Sequence, residues 1–416
     1  MAATLIVTLG LVTSLPRALF MMQAGSVPPE TFANVGALQY VREGALLVLA
    51  AVAVNHMILI RRRAGRRALQ FSPLAVFIGV LVLVALVRSA LAGISFEVIS
   101  YGVRILVFPL LYIALRWLDG GIASSLLQRI SRYAKPLIVV EALLAAYQVA
   151  TAAGLYGTTF LGPRPWGTMP TPNSLAAAMV AFALLYTVAR PKRWALWMTL
   201  CLAVAFITGS RTGTLGTLLI IGALVAYRIP YRALLLPFGA GIVVVALYVL
   251  SSASFSGREI RGEGRFDQWL LILSGVPLDD WFFGLGIGMG SNATLSLYGR
   301  DHVAGTVADS QLLSTYLSFG VVGVVIILWA VVAIIRKTPL RAAYLLVPTT
   351  ILLGAVYNIG EVAPANLVLT VVAACAAQRH STSAGSAGEQ TVDPELSHRS
   401  PARSGPARRS AQGLAR

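Results

Sequence analysis

Apolar stretches of about 20 residues recur from one end of this chain to the other, and no other feature limits its fold as strongly. At 1.5 Å per residue, a helix of that length matches a hydrocarbon core about 30 Å thick. Hydrocarbon offers no water to backbone N–H and C=O groups, so a spanning segment must satisfy its own, and a helix does. The sequence therefore predicts an all-α, polytopic transmembrane helical bundle. Composition agrees: 57% of residues are hydrophobic and 12% charged, against about a quarter charged in a soluble domain.

The chain carries 33 Lys and Arg against 16 Asp and Glu, a formal net charge of +17. Most of that excess lies in short connections and at the C-terminus, where basic residues orient a membrane protein, so no nucleic-acid partner is expected. The cluster RRRAGRR at 61–67 is the strongest orienting feature and is assigned to the cytoplasm. Counting from it, spans fall at about 4–22, just before 61, and at about 72–93, 100–117, 136–154, 175–188, 194–208, 215–227, 233–250, 311–335, 343–357 and 367–377. RISRYAK, RPKR, RIPYR, RKTPLR and the tail then share the side of RRRAGRR. The expected layout is about twelve spans with both termini cytoplasmic. A transmembrane domain covers 1–380, with a long extracytoplasmic loop at about 251–308 between spans nine and ten, and 381–416 form a disordered, basic cytoplasmic tail. The N-terminus lacks a basic region ahead of its apolar run and reads as a first span rather than a cleaved signal. Cys201 and Cys375 both sit in apolar runs and read as packing or lipid-side residues.

Seven arginines fall on the outer face, against the orienting rule: Arg42, Arg164, Arg211, Arg258, Arg261, Arg265 and Arg300. Cations kept there despite that bias suit an anionic ligand. Arg211 stands in GSRTGT among small residues that let backbones approach closely; the structural alternative is a snorkelling interface arginine. Arg265 lies in GEGRFDQWLLIL, with Asp267 and Trp269 following on what should be a short amphipathic helix, where the alternative is an arginine stacked on Trp269 four residues on. Gly262 and Gly264 favour a loop there that brings backbone N–H groups to an anion. Asp309 stands where the long loop meets span ten and reads either as that helix's N-cap or as a general base. His302 in the loop and Glu97 near the outer end of span four are the next residues able to serve as base or as its partner. Asp279 and Asp280 are adjacent carboxylates with no further ligands in view, and no metal is assigned to them. WFFGLGIGMG at 281–290 reads as an interfacial aromatic anchor followed by a tight glycine turn or re-entrant segment. Arg88, Arg104 and Glu141 lie within spans, where charge is costly, and should face the bundle interior.

Three segments in order resemble motifs of the O-antigen ligase and polymerase family of bacterial glycan-assembly membrane enzymes. These are SRTGTLG at the end of a span, GRFDQW followed by FFGLGIGMG at the long outer loop, and DSQLLSTYLSFGVVG entering span ten. The last is similar to a closing motif that usually reads His-Asn-x-Tyr-Leu and then Gly-x-x-Gly. Counting back from Gly320, Asp309 occupies the histidine position and Ser310 the asparagine position. The resemblance implies an inverting, metal-independent glycosyltransferase without a cofactor, working at the outer face of a bacterial cytoplasmic membrane. Its donor would be an undecaprenyl-diphosphate-linked glycan and its acceptor a glycan or lipid-linked glycan, within membrane lipid. Arg211 and Arg265 would hold the diphosphate, with Arg258, Arg261 and Arg164 beside them, and Asp309 would take the acceptor proton. Aspartate at that position fits the polymerase-like members better than the ligases. Two rivals stand against this expectation. A flippase or other polysaccharide transporter would also need outer arginines, but would be expected to carry internal repeats or paired broken helices. A non-catalytic membrane scaffold would have no use for arginines against the orienting rule.

Overall fold

The computed structural model describes residues 73–96, 98–99, 102, 111–112, 115, 120–151, 158–159, 162–169, 171–226, 265–290, 310–337, 345–346, 348–350, 353–354 and 365–376, with 48, 51, 55 and 58–59. The fold is helical. Its elements are α1 (Pro73–Leu91), α2 (Gly120–Ala150), α3 (Pro172–Ala189), α4 (Trp194–Ile207), α5 (Arg211–Ala226), α6 (Arg265–Ser274) and α7 (Gln311–Lys337), followed by α8 (Ala365–Ala376). The exception is a minimal antiparallel ladder in which Thr158 and Thr159 face Pro163 and Gly162. Among the described residues, Gly121–Ala150 and Pro172–Ala189 are long and apolar enough to cross a membrane. Spans one and nine, nearly all of spans two and four, most of span eleven, the loop at 251–264 and 291–309, and the tail lie outside the described residues.

α3 is the core. Thr171 caps it by accepting the Ser174 N–H at 3.1 Å, and Pro172, which has no N–H to satisfy, opens the first turn. LAAAMVAFALLY is apolar all the way round, the pattern of a helix with neighbours on every side. Every residue of α3 except Asn173 and Val188 is buried. α2, α4, α5 and α8 supply the surrounding apolar side chains. Alanine and glycine let these helices approach closely. A Cβ on Gly213 would lie 2.9 Å from the Ala176 Cβ, and one on Gly216 2.8 Å from a Val180 methyl.

One departure concerns the segment 129–135, expected as a basic loop before a span at 136–154. It belongs to α2, which runs unbroken for 31 residues with Pro136 inside it. At about 46 Å it is longer than a hydrocarbon core is thick, and Arg129, Arg132 and Lys135 lie within its N-terminal half as part of the helix. α5 likewise starts at Arg211, earlier than the expected 215, because Ser210 caps it: the Ser210 hydroxyl accepts the Gly213 N–H at 3.4 Å.

The helix ends sort the chain's charges. The Gln128 amide donates to Ala189 O at 2.8 Å, and the Tyr186 hydroxyl to Ser131 O at 2.6 Å. Lys135 Nζ lies 5.5 Å above the Trp197 ring and the Arg190 guanidinium 5.7 Å above Trp194. RISRYAK and RPKR therefore share one end of the bundle. The turn joining α3 to α4 is tight enough to put Arg190 (φ 47°) and Arg193 (φ 62°) in the left-handed region, at a cost of about 1–2 kcal/mol each.

A second group of elements contains α1, α6, the segment 277–290 and α7. Ile272, Val276, Met289, Leu313 and Leu317 close one small core with Val98, and Leu81, Ala85, Ile287, Phe319 and Ile326 another.

The close α5–α3 approach is testable. Gly213→Val should lower stability by about 1–3 kcal/mol through overpacking, whereas Leu218→Ala, at an exposed site on the same helix, should stay within about 0.5 kcal/mol. Thermal unfolding of the two purified variants in detergent measures both.

Candidate functional site

Glu141 and Gln148 lie about two turns apart on one buried face of α2, with Ala145 between them. Between them they strap down the connection that carries RPWG. The Glu141 carboxylate accepts the Thr168 N–H at 2.9 Å and the Thr168 hydroxyl. The Gln148 Oε1 accepts the N–H groups of Trp166 and Gly167, each at 2.9 Å, and its amide donates to Gly167 O at 3.1 Å. Gly167 holds φ +59°, and a Cβ there would collide with the Glu141 carboxylate. Trp166 and Met169 are buried, so the loop enters the bundle as packed structure.

The strap places Arg164. Its Nε donates to Thr208 O at 3.2 Å and its Nη2 to Asn173 Oδ1 at 3.1 Å. Thr208 ends α4, and after Gly209 come Ser210 and Arg211 at the start of α5. RPWG and SRTG, distant in sequence, thus share the bundle end opposite the RISRYAK and RPKR end. Arg211 and Arg265 each stand as the first residue of a helix. A helix N-terminus offers unpaired N–H groups and partial positive charge to an anion.

The other two resembling segments also meet. After α6 comes a single 3-10 turn, Leu278–Asp280, and then the exposed aromatics Trp281, Phe282 and Phe283. Gly284, Gly286, Gly288 and Gly290 follow with φ of 75°, 131°, 89° and 77°, all buried. Only glycine takes those angles at no steric cost. Here closeness demands it as well: a Cβ on Gly286 would lie 2.6 Å from Ser89 Oγ. That hydroxyl accepts the Ile287 N–H at 2.8 Å and donates to Ala85 O at 2.8 Å. Against this segment α7 breaks at Gly320 (φ 66°, ψ −165°). The break is repaired across the contact. Val321 N–H bonds Trp281 O at 2.8 Å, Val322 N–H bonds Phe282 O at 3.3 Å, and Leu285 N–H bonds Leu317 O at 2.7 Å. The expected glycine turn is present, and YLSFG is the surface on which this segment docks.

Other expected residues resolve differently. Asp280 forms an ion pair with Arg88 of α1, so its carboxylate ties 277–290 to that helix. Among the described residues no group of three or more His, Cys, Asp or Glu is placed to hold a metal. Glu141 faces the interior, as its cost in a span requires. Cys201 and Cys375 are buried, and among the described residues neither is in a disulfide. Ser310 caps α7: its hydroxyl accepts the Leu313 N–H at 3.4 Å and donates to Gly354 O at 3.4 Å. Asp309, His302, Glu97, Arg104, Arg42, Arg258, Arg261 and Arg300 lie outside the described residues.

Sequence reasoning did not single out Gln148, Thr168, Asn173 or Ser89. Gln148 could have been found, because an amide seven residues after an in-span glutamate shares its helix face. Thr168, Asn173 and Ser89 are ordinary polar residues until the fold brings their partners to them.

No protein-family model matches this chain, and no curated protein matches it.

The strap yields a graded expectation. Gln148→Leu leaves the Trp166 and Gly167 N–H groups without an acceptor and should cost about 1–3 kcal/mol for each. Gln148→Glu keeps the acceptor and should cost less. The difference in melting temperature between the two purified variants is the measurement.

Proposed function

We propose that this chain is a multi-pass bundle of about twelve spans in a bacterial cytoplasmic membrane, and that it is a glycosyltransferase of the O-antigen ligase and polymerase type. It joins an undecaprenyl-diphosphate-linked glycan to an acceptor sugar at the extracytoplasmic face. What supports this reading is that one resembling segment meets an outer-face arginine and the other two meet each other. RPWG reaches SRTG through Arg164 and Thr208, and the WFFG segment docks on the YLSFG stretch of α7.

In the proposed reaction an acceptor hydroxyl attacks the anomeric carbon of the donor. A carbon–oxygen bond forms there, the bond from that carbon to the diphosphate oxygen breaks, and undecaprenyl diphosphate leaves. Inversion follows from attack opposite the leaving group. Negative charge grows on the diphosphate, and Arg211 and Arg265, each at a helix N-terminus, are the cations we assign to it, with Arg258 and Arg261 beside them. Two of Arg164's donors are already committed to Thr208 and Asn173, so its part is to set the loop beside Arg211 as well as to add positive charge. The acceptor proton passes to Asp309, a step worth about 10²- to 10⁴-fold.

Transfer from a purified lipid-linked donor in liposomes, with chelator present, tests the assignment. Arg211→Ala and Arg265→Ala should each abolish transfer while leaving the protein folded, and lysine should restore little of it, lacking the two-pronged guanidinium. Full activity in both alanine variants would remove them from the mechanism. Position 309 separates chemistry from structure. Asp309→Asn should lose transfer with unchanged stability, whereas Ser310→Ala should lose about 1 kcal/mol of stability with its cap. Retained transfer in the Asp309→Asn variant would move the base to His302 or Glu97. For sidedness, in a background without Cys201 and Cys375, cysteines at Ser256 and Ser291 should react with an impermeant reagent from outside and one at Gly65 should not. Labelling at Gly65 alone would reverse the orientation.

A further inference from the structure

At the bundle end opposite Arg164 and Arg211, the fold gathers a second set of cations that the proposed reaction does not use. Arg129 and Arg132 are exposed on one face of α2, and Lys192 and Arg193 are exposed in the α3–α4 turn. Lys135 and Arg190 lie over the Trp197 and Trp194 rings. Gln128 and Ser131 of α2 bond the end of α3, so both groups belong to one collar. From Gly120 to Ala226 the sequence holds a single carboxylate, Glu141. That carboxylate is committed to Thr168 towards the other end. Among the described residues none of the six cations has an acidic partner, so their countercharge comes from outside this part of the chain.

We propose that this collar is a headgroup site for anionic phospholipid, the phosphodiester resting against the α2 and α3–α4 cations. Three observations favour a lipid over a soluble polyanion. The collar is lateral: α2 continues from Arg129 to Gly120, a further rise of about 13 Å, so the arginines flank the helix and do not tip it. Two tryptophans stand at the level of the cations, the depth where indole rings sit at a membrane boundary. Between them α4 exposes Leu196, which suits an acyl chain. Basic pockets between membrane helices recognise such headgroups by charge.

The test uses the full chain purified in detergent and offered phosphatidylglycerol and phosphatidylcholine in equal amounts, with retained lipid counted by native mass spectrometry. The wild type should keep phosphatidylglycerol in preference, and Arg132→Gln and Lys192→Gln should each lower that preference about fivefold. Arg132→Lys, which keeps the charge, should retain it, and this single exchange serves if the neutral variants fail to fold. Inorganic phosphate at matched concentration should not raise the melting temperature as phosphatidylglycerol does. Equal retention of the two lipids, an unchanged ratio in the neutral variants, or equal stabilisation by inorganic phosphate would each overturn the proposal.

Discussion

A buried backbone N–H or C=O must find a partner inside the protein, and this requirement organises both irregular segments of the structure. α7 breaks at Gly320, which strands N–H groups past the break and a carbonyl before it. Trp281 and Phe282 supply the missing acceptors, and Leu285 supplies the missing donor. The connection at 164–169 faces the same need, and side chains of α2 answer it: Gln148 takes two N–H groups and gives one back, and Glu141 takes the next. In the bilayer setting proposed for the chain the constraint is stricter, because non-helical backbone at membrane depth persists only where protein or a water-filled cavity surrounds it.

That requirement also explains why the irregular segments are rich in glycine. Where the two backbones pack directly against each other, a Cβ at the point of contact would collide with the neighbouring chain. A Cβ on Gly284 would lie 2.5 Å from the Phe319 N, and one on Gly102 2.6 Å from the Gly288 Cα. The same economy of side chain lets α5 lie against α3 at Gly213 and Gly216. Close approach at α3 sets the position of Ser210 and Arg211, and close approach at Gly320 sets the position of the aromatic knuckle. Both parts of the proposed site therefore inherit their geometry from contacts that only small residues allow.

The helices were largely legible in the sequence, since α1, α3, α4, α7 and α8 start and stop within a few residues of the expected apolar limits. Apolar runs are local, and a run reports its own length. What failed was local in appearance only. Arg129, Arg132 and Lys135 read as a loop because they are charged, yet they are part of the α2 helix. Asp309 read equally as a cap or a base and lies outside the described residues, while the adjacent Ser310 caps α7. The Glu141–Thr168 and Arg88–Asp280 contacts were illegible because each joins residues far apart in the chain, and no pattern in either partner names the other. The glycine run showed its need for unusual backbone angles, but only the break at Gly320 reveals what the run is shaped to meet.

The serine cap changes how position 309 is read. With Ser310 as N-cap, residue 309 stands one place before the helix, where a common structural use is an apolar side chain packed on the fourth residue within. Here the pair is Asp309 and Ser314, and neither suits that packing. Ser314 is fully buried, and its hydroxyl has no hydrogen-bond partner among the described residues. The start of α7 is therefore supplied by Ser310. The cap also ties this position to the rest of the bundle. Ser310 donates to Gly354 O while it receives Leu313 N–H, so the entry of α7 is held from two sides. A base must stand at a fixed distance from the hydroxyl it deprotonates, and a doubly held neighbour is a physical means of fixing it.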